Sequence, residues 1–217
     1  MKERIQLALA RKVRHWLAIL DRKYEHDARA RIKSSPRNFI IDTPYRLIHP
    51  EFMEIGDDVY LGPNSMLDCM IEYPGPELNA PAEIVAERFN PRIVIGDRVS
   101  ATGGLQLAAC MEIVIEDDVL FATNINLTDA FHGYTHVDLP YKFQNMWQAA
   151  PIRIKRGSWI GQNVVITPGV TVGEMSIIGA NSVVNRNIPD RSIAVGAPAK
   201  VVKSWCGERA AWVEVND

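Results

Sequence analysis

Residues 154–184 read IKRGSWIGQNVVITPGVTVGEMSIIGANSVV, and an aliphatic residue stands at every sixth position: Ile154, Ile160, Ile166, Val172, Ile178 and Val184. A period of six is neither the 3.6 of a helix nor the long alternation of a half-buried strand. It is a repeat, and repeats have to be read before single elements. Four residues after each aliphatic stand Ser158, Val164, Val170, Ser176, Ser182 and Ile188, most of them small. One large and one small inward residue per short segment suits a narrow solenoid that turns a corner after each segment. Gly157, Gly161, Gly169, Gly173 and Gly179, with Asn163 and Asn181, lie where those corners fall, and both residue types tolerate the positive φ a corner requires. Three hexads make one triangular coil. Residue 154 should then stack on 172, 160 on 178 and 166 on 184, each coil burying what its neighbour leaves open.

Outward from that stretch the pattern weakens but persists. Ile93, Val99, Leu105 and Met111 keep the spacing, and Ile113, Val119 and Ile125 keep it after a shift of two. MEIGDDVYLGPNSML, residues 53–67, reads as a worn first coil. The reading is an all-β chain with a parallel β-helix domain over residues 50–205 and a C-terminal tail over 206–217. Two stretches break the phase, 72–91 with four prolines and 128–151 with His132 and His136 among large aromatics. Loops of this length in a compact repeat are costly to order and commonly functional.

The first 35 residues differ in character. They hold ten Lys/Arg against four Asp/Glu, in a chain of net charge -2. Ile5, Leu9, Val13, Trp16 and Leu20 form an apolar stripe at helical spacing. A basic amphipathic N-terminal helix over 1–35 is expected, either capping the open end of the first coil or lying on an anionic membrane surface. Nothing in the opening residues resembles a secretory signal or a membrane span, so the default location is the cytoplasm, with the helix offering a peripheral contact at the inner face of the membrane. Overall charge gives no case for nucleic acid. Cys69, Cys110 and Cys206 are too few and too dispersed for a disulfide framework or a zinc site.

Residues 152–203, with the elements WIGQNVVITPGVTVG, SIIGANSVVNRNIP and VGAPAKVV, resemble the C-terminal half of hexapeptide-repeat acyltransferases. That group includes the maltose, galactoside and serine acetyltransferases and the O-acetyltransferases of bacterial surface polysaccharides. The resemblance implies a left-handed parallel β-helix, a homotrimer with active sites between subunits, and acetyl-coenzyme A as donor. The segment TDAFHGYTH, residues 128–136, resembles the histidine loop of the polysaccharide O-acetyltransferase branch. There Asp-His-x-His-Gly-Tyr is common; here Ala130 replaces the first histidine and His132 keeps the second.

Acyl transfer to a hydroxyl needs a base beside the acceptor, and histidine titrates in the right range. Of His15, His26, His49, His132 and His136, the last two lie in the loop beside the regular coils. His132 is the expected general base and His136 its competitor. Asp129 or Asp138 would orient the imidazole. Family resemblance adds Gly161 as a backbone oxyanion donor and Ala180 along the pantetheine arm; Trp159, at the same corner as Gly161, would flank that arm or the acceptor, and Lys200 and Lys203 would meet the coenzyme's phosphates. The expected activity is O-acetylation of a sugar or surface-polysaccharide precursor, by direct transfer and without a metal. N-acetylation of an amino sugar or other small amine is the alternative. A zinc carbonic anhydrase would need a third histidine near His132 and His136, and a non-catalytic solenoid would have no use for the histidine loop. Leu105, Leu107, Met111, Leu120, Phe121 and Leu127 are expected to face outward and to meet a neighbouring subunit.

Overall fold

A computed structural model of the protein describes residues 12–13 and 29–215. The expected N-terminal helix lies mostly outside them. Over the described residues the chain winds as a parallel β-helix with three faces. The first face stacks Ile40–Ile41, Tyr60–Leu61, the starts of Ser100–Ala109 and Leu120–Thr128, then Trp159–Ile160, Ile177–Ile178 and Ser192–Val195. The second face stacks Arg46–Ile48, Met66–Cys69, the ends of the two long strands, Val165–Ile166 and Val183–Val184. The third stacks Met53–Ile55, Arg92–Ile95, Glu112–Ile115, Ile152–Ile154 and Thr171–Val172, with a bridge to Ile188.

The hexads stack as the spacing predicts: Ile154 pairs with Val172, Ile160 with Ile178 and Ile166 with Val184. All six marked aliphatics are fully buried, and so are Ser158, Val164, Ser176 and Ser182. Each buried aliphatic contributes on the order of 1.5–3 kcal/mol, which is how strands of only two residues hold together.

Earlier coils are wider. Ala101 pairs with Phe121 twenty residues on, Ile160 with Ile178 eighteen on, and Ile178 with Ala194 sixteen on. The extra residues explain the shift of two. Met111 does not continue the hexad; it is 41% exposed at a corner, and Ile113 and Ile115 take the inward places. The coils also begin before residue 50, at Ile40–Ile41 and Arg46–Ile48, with Ile41 and Leu47 buried. Of the residues expected to face outward, Leu105, Leu107, Phe121 and Leu127 are completely buried inside the coil, and only Met111 and Leu120 are exposed.

Corners repeat from coil to coil. Between the third and first faces, Asp58, Arg98, Asp118, Gly157, Met175 and Arg191 all take positive φ. Carboxylates cap the amides of the coil before: Asp97 accepts from the Asp57 N–H at 2.8 Å and Asp117 from the Asp97 N–H at 2.9 Å. Between the first and second faces, the left-handed Asn124, Asn163 and Asn181 form an amide ladder, at 3.3 and 3.0 Å.

Both long insertions leave the helix at one corner, between the second and third faces. The first carries an antiparallel pair, Glu72–Tyr73 with Glu87–Arg88. The second carries Phe131–His132 with Met146–Trp147. At the far end the chain reverses. Lys200–Cys206 runs antiparallel to Ser192–Val195, and Ala211–Glu214 pairs with it in turn, so part of the expected C-terminal tail is a strand. At the near end, Ile32 is buried against the first coil and the Lys33 N–H donates to Met53 O at 3.1 Å.

Candidate active site

The second insertion starts at Asp129, whose backbone N–H donates to Ala108 O and whose carbonyl accepts from Ala150 N–H. Its carboxylate is 1% exposed and fully engaged: Oδ1 accepts from the Cys110 N–H and Oδ2 from the Met111 N–H, both at 2.8 Å. Burial pushes its pKa up against the pull of those amides. Asp129 therefore fastens the corner of the neighbouring coil. It makes no hydrogen bond to His132, so the orienting role expected for it is not the one the structure gives it. Ala130 is buried, at 4% exposure.

His132 follows on the short hairpin, paired with Met146 and exposed. Its ring packs against Tyr73 of the first insertion, with centroids 5.0 Å apart. The Tyr73 hydroxyl donates to Lys142 O at 2.8 Å, so one residue ties both insertions together. Gly133 turns the chain where no side chain fits, because a Cβ there would lie 2.5 Å from Asn145 O. Tyr134 meets Trp147 edge-on at 4.6 Å.

His136 is exposed, and its backbone is clamped by Gln144. The Gln144 Nε2 donates to His136 O at 2.7 Å and Leu139 O at 2.8 Å, and its Oε1 accepts from the His136 N–H at 3.2 Å. Gln144, 3% exposed, sets the shape of the loop. Neither Tyr73 nor Gln144 carried a sequence signal. Tyr73 acts across 69 residues of chain, and Gln144 bonds only backbone. Gly133, Thr135, His136, Phe143 and Trp147 line a cleft of about 480 Å³ between the insertions.

The other expected site residues lie elsewhere. Trp159, 49% exposed, points out from the first face. Gly161 and Ala180 form the corner between the first and second faces. The Gly161 N–H already donates to Ile178 O at 2.8 Å, so it is not available to an oxyanion. Its lack of a side chain has a packing cause: a Cβ would lie 2.7 Å from both Ala180 N and Ile178 O. Lys200 is exposed at the start of the reversing strand, and Lys203 Nζ pairs with Glu214 Oε1 at 3.1 Å. Within one chain, the second face separates His132 from the Gly161 corner, a span of roughly 15 Å for a side of about five residues. Among the described residues no group of three or more His, Cys, Asp or Glu is placed to hold a metal ion, and His49 does not join His132 and His136.

Residues 151–186 match the bacterial transferase hexapeptide family, as six repeats. The match falls on the regular coils that follow the second insertion. Among similar proteins, the galactoside O-acetyltransferase of Escherichia coli is 35% identical over 53% of this chain and 55% of its own. The putative lipopolysaccharide biosynthesis O-acetyl transferase WbbJ of the same organism is 31% identical over 55% of this chain and 64% of its own. Both matches span less than two thirds of the relative's length. The fold is also that of AntD, an N-acyltransferase from Bacillus cereus solved with dTDP and coenzyme A, with a TM-score of 0.66 and 18% identity over 85% of this chain and 90% of that one.

Proposed function

We propose that this chain is an acetyl-coenzyme A-dependent acyltransferase acting on a sugar-like acceptor, with His132 as general base. The observation that carries the reading is the placement of His132. An exposed imidazole stands on a hairpin fixed by Tyr73 and Gly133, on a helix of the hexapeptide-repeat kind. The imidazole takes a proton from the acceptor's hydroxyl or amine as that atom attacks the thioester carbonyl. The C–S bond then breaks, the acyl group stays on the acceptor, and coenzyme A leaves as the thiol with the proton returned by His132. Among the described residues no serine or cysteine side chain hydrogen-bonds a histidine, and the serine hydroxyls of the coils donate to backbone carbonyls, so direct transfer is favoured over an acyl-enzyme.

A second copy completes the site in this reading. Trp159, Gly161 and Ala180 sit one face away from His132, while Ile40, Tyr60, Leu120 and Trp159 leave the first face apolar and between 37% and 53% exposed. A closed trimer covers that face and brings one subunit's Trp159 corner to the next subunit's His132. Light scattering should give close to three times 24.3 kDa.

O-acetylation is supported by the names of the two Escherichia coli relatives, and N-acylation by that of the Bacillus cereus neighbour. Amine and hydroxyl acceptors are separated by a thiol-release assay with acetyl-coenzyme A against sugars, amino sugars, nucleotide sugars and small amines. Transfer to some sugar-like acceptor supports the proposal. Coenzyme A release from none of them overturns it.

A further inference from the structure

A second cleft, of about 560 Å³, lies between the outer side of the second face and the first insertion, lined by Arg46, His49, Asp68, Glu72, Tyr73 and Glu77 among others. Three features connect it to the transfer centre. Tyr73 belongs to its wall and also packs its ring on His132. Ile48, Asp68, Ala108 and Thr128 stand in one outward row along the second face, and Thr128 leads directly into the His132 hairpin. With coils about 4.8 Å apart, the row runs roughly 10 Å from Asp68 to Thr128, the reach of a sugar with its substituents. The residue between them is Ala108, which leaves the row open.

The chemistry of the lining is one-sided. Three carboxylates, Asp68, Glu72 and Glu77, face one guanidinium, Arg46, and one imidazole, His49. His49 Nδ1 already lies 3.5 Å from Glu51 Oε1. The Asp68 carboxylate makes no hydrogen bond within the described residues, although it is half-buried. Burial raises its pKa, with the charges of His49 and Arg46 pulling the other way. A partly desolvated carboxylate without donors is costly to leave so, and sugar hydroxyls are donors of the right kind. A phosphate or a nucleotide diphosphate would bring like charge into the same space.

We infer that this cleft is the acceptor subsite of the transfer centre proposed above, that it takes a polyhydroxylated sugar without phosphate, and that Asp68 is the residue that sets this preference. The inference rests on the acyl-transfer reading for its chemistry, but not for its binding. It is tested by calorimetry with a panel of methyl hexosides and the matching hexose 1-phosphates, on the full-length wild type and on Asp68→Asn, alongside thiol-release kinetics. Wild type should bind a hexoside at least ten-fold more tightly than its phosphate. Asp68→Asn should weaken hexoside binding and raise its KM ten-fold or more, with kcat and the KM for acetyl-coenzyme A within two-fold, and should narrow the discrimination against the phosphate. Tighter binding of the phosphates, or an Asp68→Asn variant that binds hexosides as wild type does, overturns the inference. Hexoside binding that depends on Asp68 without any thiol release keeps the cleft and overturns the acyl-transfer reading instead.

Discussion

Val59, Val99 and Val119 occupy the inward corner place in the wide coils, whereas Ser158, Ser176 and Ser192 occupy it in the narrow ones, and all six are buried to within 1%. The serines do what the valines cannot. The Ser158 hydroxyl donates to Gly173 O at 2.7 Å and the Ser176 hydroxyl to Pro189 O at 2.8 Å. A narrow coil brings its corner carbonyls inward, and a small hydroxyl both fits and satisfies them. A wide coil leaves space that apolar volume fills. On the next inward place, Phe121 stacks over Ala101, large against small. At this corner the two halves reach the same fold by different means, one by a hydrogen-bonded hydroxyl and the other by bulk. Both insertions leave from wide coils, after Cys69 and after Thr128.

Removing bulk from the wide half should cost most. Phe121→Ala opens a void next to Ala101 and should destabilise by about 3–5 kcal/mol, read from denaturant midpoints at unchanged slope. A loss below about 1 kcal/mol would mean that the wide coils collapse freely and are not held by volume. Exchanging the corner residues is the sharper test. Val119→Ser should cost about 2 kcal/mol through lost burial and a hydroxyl without a designed acceptor. Ser176→Val should cost a similar amount by orphaning Pro189 O and overfilling a narrow corner. If either exchange is neutral, the division between the halves is accidental.

Thiol chemistry gives the smallest effect. Cys69 and Cys110 are buried in the wide half, and burial pushes both thiols up to about 12. At pH 8 both stay protonated and covered, so a disulfide reagent should modify only the half-exposed Cys206 of the reversing strand. All three should react in denaturant. Fast modification of Cys110 in the folded protein would show that the corner fastened by Asp129 opens readily.

The same division explains what the sequence discloses. Where a coil is eighteen residues, three hexads fit and the stacking of Ile154, Ile160 and Ile166 is legible to the residue. In the wide coils Ile95, Ala101 and Leu107, and then Ile115, Phe121 and Leu127, keep the spacing in register with Ile154, Ile160 and Ile166. A count started two residues earlier, at Ile93 or Ile113, follows the corner places instead, runs on to Met111 and leaves Phe121 and Leu127 to read as outward. The first coil, through Ile41 and Leu47, keeps the spacing but lacks the glycine corners that advertise it. At the candidate site, His132 is legible from its local motif. Asp129 is not, because a carboxylate beside a histidine suggests an orienting partner, while the coil corner claims both of its oxygens. Tyr73 and Asp68 are silent in the sequence because their relation to His132 exists only once two insertions share a corner.

The central claim, that the wide-coil insertion carries the chemistry through His132, is tested most directly by single-turnover transfer with His132→Ala, scored beside its thermal midpoint. His132 is exposed and outside the core, so the variant should fold with wild-type stability to within about 0.5 kcal/mol. Its transfer rate should fall by roughly 10² or more, with acetyl-coenzyme A binding unchanged and His136→Ala far less affected. A His132→Ala enzyme that transfers at the wild-type rate would contradict the account.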